Sequence, residues 1–141
     1  MDGFSLAATN YTDPAGFTHL YVFSQSTNNT LLASVWDSQN TTWRVVSISH
    51  MLATGGLELS FMPNTPITAY AYTNPFFQMR LYALTDGSSI REVQTQDPSL
   101  ETGWQKGRLG FDSFLTVGQG SKLAALRPQC GTGRDCRNNF P

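Results

Sequence analysis

Arg80 and Glu92 are the residues whose types and spacing best suit recognition chemistry. They stand twelve apart, on either side of Asp86-Gly87. A tight turn there folds Met79–Leu84 and Ile90–Thr95 into a hairpin. The two side chains then lie opposite or diagonal on neighbouring strands. A carboxylate accepts two hydroxyl protons at once, and a guanidinium donates to further oxygens from a rigid fork. Such a pair suits a polyhydroxylated ligand, and an indole face packs on the C–H side of a pyranose. The plain alternative is a cross-strand ion pair, worth about 0.2–1 kcal/mol if exposed.

Other reactive groups support no chemistry. Gly-x-Ser-x-Gly, His-Glu-x-x-His and phosphate-loop motifs are all missing, so no catalytic residue is assigned and no enzyme is expected. Asp97 and Glu101 could join Glu92 as a glycosidase carboxylate pair, but in their polar, Pro98-containing loop they read as solvated charges. Cys130 and Cys136 are far in sequence from His19 and His50, which argues against a zinc site and leaves no metal or cofactor implied. In an oxidising compartment Cys130 and Cys136 would close a small disulfide loop. The acceptor sequons at Asn10, Asn28 and Asn40 point to a secreted or extracellular protein.

The composition limits the partners. Apolar residues make up 40% and charged residues 13% of 141, enough for the packed core of one domain or part of one. A net charge of −1 argues against nucleic acid and against an anionic membrane surface. No apolar run is long enough to span a bilayer. Met1-Asp2-Gly3 does not open a signal peptide, and the start reads as that of a piece of a longer gene product.

The elements that must position Arg80 and Glu92 are strands. Helical periodicity is confined to one turn within 49–57, ended by Gly55-Gly56. Short strands are predicted over 5–9, 20–24, 31–36, 43–48, 57–61, 67–73, 79–84, 90–95, 107–109 and 122–127, separated by Gly, Pro, Asn and Asp. Their order repeats: a small-residue strand, an X-Leu-Tyr strand, a third strand, then a Trp strand. Tyr21 to Tyr82 and Trp43 to Trp104 are both 61 residues. About four strands per unit with a fixed period is the signature of propeller blades. The fold class is therefore all-β, an incomplete β-propeller of four-stranded antiparallel blades at 5–56 and 57–112, with a third started over 113–141. A ring needs at least four blades, so the remainder must come from the same protein or from a homo-oligomer.

The second unit runs from Arg80-Leu81-Tyr82 through Ile90-Arg91-Glu92 to Trp104-Gln105-Lys106-Gly107-Arg108-Leu109. It resembles the blade repeat of the fungal fucose-specific lectins of the Aleuria aurantia type. Lys122-Leu123-Ala124-Ala125-Leu126 resembles the opening of the next blade. The resemblance implies a six-bladed, non-catalytic propeller that binds fucosylated glycans between adjacent blades. It makes Arg80 and Glu92 the polar pair. It gives Trp43 and Trp104 the stacking role, each for the site of the blade before its own. In the first unit His19 stands at the Arg position and, after a longer turn, Ala33 at the Glu position, so that site is expected to be degenerate. The Arg80/Glu92 site needs a Trp from a further blade, for which Trp43 of a neighbouring chain is a candidate. The runner-up reading is an adhesion or scaffold propeller that has lost sugar binding.

Overall fold

The computed structural model describes residues 5–73, 75–110, 115–118 and 120–125. Cys130, Cys136 and Arg127 lie outside them. Strands β1 (Ala7–Thr12), β2 (Thr18–Gln25), β3 (Leu31–Asp37) and β4 (Trp43–Ser47) are followed by helix α1 (Ile48–Thr54). Then come β5 (Ile67–Thr73), β6 (Phe77–Thr85), β7 (Ser89–Thr95) and β8 (Gln105–Lys106). Each group of four strands forms one antiparallel sheet in the order of the chain. Among the described residues the fold is β apart from this one short helix, two four-stranded blades consistent with an incomplete propeller.

Alternation builds the core. Tyr21, Phe23, Leu31 and Val35 on one face of the first sheet are buried together with Met79, Leu81, Val93 and Trp104 of the second. Each such side chain contributes about 1.5–3 kcal/mol of burial. At the inner strands, side-chain hydroxyls take the place of a ladder. Ser5 Oγ accepts from the Ile67 amide at 2.9 Å, and Thr9 Oγ1 from the Ala71 amide at 3.2 Å. Thr68 Oγ1 likewise accepts from the Ala125 amide at 3.0 Å.

Helix α1 follows from local chemistry. The Ser47 hydroxyl caps it by accepting from the His50 amide at 3.3 Å. Gly56 leaves it at φ +80°, and the Leu57 amide closes back on the Leu52 carbonyl at 2.8 Å. The segment expected as a strand over 57–61 is a crossing instead, with only Phe61 bridged, to Thr85. The blade it enters already has four strands, so 57–61 finds no continuous partner. Of the strand expected over 122–127, residues 122–125 carry no ladder.

Asp97 is not the freely solvated charge expected from its loop. Its carboxylate accepts from the Ser99 amide at 2.8 Å and hydroxyl at 2.6 Å, the Glu101 amide at 3.1 Å, and the Thr102 amide and hydroxyl, both at 2.9 Å. The loop it organises is clamped to the first sheet. Tyr21 Oη donates to the Pro98 carbonyl at 2.9 Å, and Arg44 donates to Glu101 at 2.7 Å and to the Ser99 carbonyl at 2.6 Å. Partial burial alone would raise the Asp97 pKa, but the donors from Ser99 and Thr102 outweigh it and hold the group below 3.8. A carboxylate depressed in the folded state contributes stability above its unfolded pKa and loses it as pH falls. Thermal stability should therefore decline as pH drops below 3.8. Asp97→Asn should lower the melting temperature at neutral pH and flatten this acid slope. An unchanged slope in the variant, followed by circular dichroism, would count against the assignment.

Candidate functional site

The β6–β7 hairpin brings Arg80 and Glu92 together. Arg80 lies opposite Gln94 and Glu92 opposite Tyr82, so the pair is diagonal. Arg80 Nη1 donates to Glu92 Oε1 in a direct ion pair. Glu92 Oε2 accepts from the Leu109 amide at 3.0 Å. Arg80 Nε donates to Tyr72 Oη at 3.3 Å, and the guanidinium carbon lies 5.9 Å from the Tyr72 ring centroid. Tyr72 Oη donates to Gln78 Oε1, which Arg80 Nη2 reaches at 3.5 Å. The side chains are 25% exposed at Arg80 and 4% at Glu92. The guanidinium is thus the more exposed partner, and the carboxylate holds it from beneath. Desolvation works against the Arg80 charge, but Tyr72 and Glu92 outweigh it and keep the group firmly protonated.

Tyrosines extend this face. Tyr70 stacks on Tyr72 at 5.6 Å and on Tyr82 at 6.2 Å, and the Tyr70 and Tyr82 hydroxyls are 3.5 Å apart. Burial, the Tyr70 hydroxyl and the Glu92 charge push the Tyr82 phenol upward, so it stays neutral. A cleft of about 260 Å³ beside the pair is lined by Thr68, Tyr70, Tyr82, Ile90, Leu109 and Leu123, among others. It joins apolar walls to a few polar groups, the usual make-up of a small-molecule site.

The first blade repeats this geometry without its chemistry. Tyr21, the counterpart of Tyr82, pairs with Val35, so Val35 rather than Ala33 stands where the second blade has Glu92. Ala33 pairs with Phe23, one core position further along. His19 faces Asp13, Nε2 to Oδ2 at 3.5 Å, and stacks on Tyr11 at 5.7 Å. Phe77 fills the seam against Tyr11 at 4.7 Å and Tyr21 at 6.2 Å. The first seam is packed with aromatic rings, and its guanidinium–carboxylate pair, Arg44 with Glu101, ties β4 to the 97–102 loop instead of standing at the His19 and Val35 positions.

The two tryptophans part company. Trp104 is 6% exposed within the core, its indole N–H donating to the Leu100 carbonyl at 2.8 Å. Trp43 is 55% exposed and lies opposite Trp36 at the edge of the first sheet. Asn10, Asn28 and Asn40 are all exposed, although Asn10 lies within β1 rather than at a strand end. Among the described residues no helix is long and apolar enough to cross a membrane.

Sequence reasoning missed the groups that hold the pair: Tyr72, Gln78, Gly107 and Leu109. The available signal was the Trp-x-x-Gly-x-Leu order itself, whose Gly and Leu lie beside Glu92.

No protein-family model matches the chain, and no curated protein matches it in sequence. Solved structures do match. The SapL1 lectin, determined in complex with alpha methyl fucoside, is 26% identical with a TM-score of 0.64, over 89% of this chain and 37% of its own. A fucose lectin from Kordia zhangzhouensis, determined in complex with methyl-fucoside, is 18% identical with a TM-score of 0.52, over 72% of this chain and 62% of its own. The chain therefore spans less than two thirds of either lectin. Its structural neighbours are fucose-binding lectins, a class that binds carbohydrate without catalysis.

Proposed function

We propose that this chain is part of a secreted, non-catalytic lectin whose second blade recognises fucose-containing glycans between adjacent blades. The carrying observation is the Arg80–Glu92 pair, set on the sheet face turned away from the first blade and next to a tyrosine-lined cleft. Arg80 donates to sugar oxygens, Glu92 fixes and compensates it, and the tyrosines offer the C–H faces an apolar wall. The likeness to two fucose lectins supports this reading, as does the resemblance of the blade order to that of the fungal type. Further blades, from the rest of the same protein or from a second copy, would cover the exposed Leu6, Trp43 and Val45 of the first sheet. Trp43 could then stack on a sugar held by the neighbouring blade. Exposed Asn10, Asn28 and Asn40 suit glycosylation in that compartment.

The second reading, an adhesion or scaffold propeller without sugar binding, draws on the first seam, where Phe77 packs between the rings and Val35 stands in place of the acid. Calorimetric titration with α-methyl fucoside separates the two. Under the lectin reading the chain gives a saturable heat, and Arg80→Ala weakens binding by about tenfold to a hundredfold, as expected for losing charge-assisted hydrogen bonds worth about 1.5–3 kcal/mol. An absence of heat both from the folded chain and from a chain extended through a further blade would favour the scaffold.

A further inference from the structure

Glu92 is not held by its hairpin partners alone. Its backbone carbonyl accepts from the Gly107 amide at 2.8 Å, and its amide donates to the Leu109 carbonyl at 3.1 Å. The Leu109 amide then donates to Glu92 Oε2 at 3.0 Å. The regular β7–β8 ladder ends at Val93–Lys106, one pair short of Glu92. The chain past β8 thus wraps around this single acid, touching its backbone and its carboxylate together.

A Cβ at position 107 would run into Glu92 Cγ and Cδ and come within 2.8 Å of Oε1. Those atoms are not the free end of a flexible side chain. Oε1 is held by Arg80 and Oε2 by the Leu109 amide, and the side chain is 4% exposed. It could yield only by leaving both partners. Glycine is therefore required at 107 for contact with the acid.

Resting on the lectin reading, we propose that Gly107 and the Leu109 amide are positioning residues of the sugar site. The missing side chain at 107 admits the carboxylate beneath Arg80, and the 109 amide sets its rotation. Arg80 then presents its remaining donors in one orientation to the ligand's hydroxyls. This gives a physical reason for the Gly and Leu of the Trp-x-x-Gly-x-Leu order.

A double-mutant cycle on the full chain tests it, using Gly107→Ala, Glu92→Ala and both together, with melting temperature and α-methyl fucoside affinity as readouts. Gly107→Ala should lower affinity at least tenfold and lower the melting temperature. In the Glu92→Ala background the same change should be neutral or slightly stabilising, because the Cβ has nothing to meet and alanine restricts the unfolded chain. An equal loss of melting temperature in both backgrounds would show a backbone role only and overturn the proposal. So would wild-type affinity in Gly107→Ala. If neither the unmodified chain nor one extended through a further blade binds methyl fucoside, the lectin reading fails on its own, and the melting cycle still decides whether Gly107 positions Glu92.

Discussion

Trp104→Ala is expected to lower the stability of the fold by about 3–5 kcal/mol, the range for truncating a large buried aromatic. Two effects add. The indole sits in the core at 6% exposure, so its removal leaves a cavity among rigid strands. Its N–H also satisfies the Leu100 carbonyl at 2.8 Å, and Leu100 is itself fully buried. An orphaned buried carbonyl adds about 1–3 kcal/mol to the loss if no water reaches it. Trp104→Phe should keep most of the packing and lose the hydrogen bond. Trp43→Ala, at the same place in the first unit, should change stability by less than about 0.5 kcal/mol because its side chain is largely in solvent. Urea unfolding reads all three as shifts in midpoint at constant slope. A loss below about 1 kcal/mol for Trp104→Ala would mean the indole is not part of the core.

Glu92→Ala is the larger functional change. It removes the counter-ion from a guanidinium that is only 25% exposed and leaves the Leu109 amide without its acceptor. Breaking a fully buried pair costs about 3–5 kcal/mol. Arg80 can swing partly into solvent, so about 2 kcal/mol is expected here. Binding of methyl fucoside should weaken by up to the tenfold to hundredfold expected for Arg80→Ala, since Arg80 loses the group that aims it. Glu92→Gln keeps an acceptor for Leu109 but not the charge, and should fall between. The double change Arg80→Met with Glu92→Leu is the sharpest comparison. Replacing a whole buried pair by apolar residues is often neutral for stability, so the fold should recover while binding does not. Recovery of binding in that variant would remove the pair from the site.

Much of the fold could be read from the residues. The 61-residue recurrence of Tyr and Trp marked two units, and the Asp86-Gly87 turn predicted the hairpin that brings Arg80 to Glu92. These are local facts, because a two-fold strand period and a tight turn set which side chains share a face. Counting only the longer turn puts the counterpart of Glu92 at Ala33. The first hairpin also extends its ladder one pair further from the tyrosine, from Tyr21 to Gln25 against Tyr82 to Thr85, and this moves the position to Val35. Ladder length depends on pairing and leaves no mark in composition.

Sequence by itself determined the strand order, the repeat and the meeting of Arg80 with Glu92, because each depends on residues close along the chain. Only the tertiary structure decided which tryptophan is buried. Trp43 and Trp104 occupy equivalent positions, yet Trp104 belongs to the shared core and Trp43 faces solvent. Burial is a property of what packs against a face, and a repeated sequence says nothing about which repeat has a neighbour. The same holds for Gly107. Its need to be glycine comes from a carboxylate fifteen residues earlier, which the chain reaches only after folding back around it.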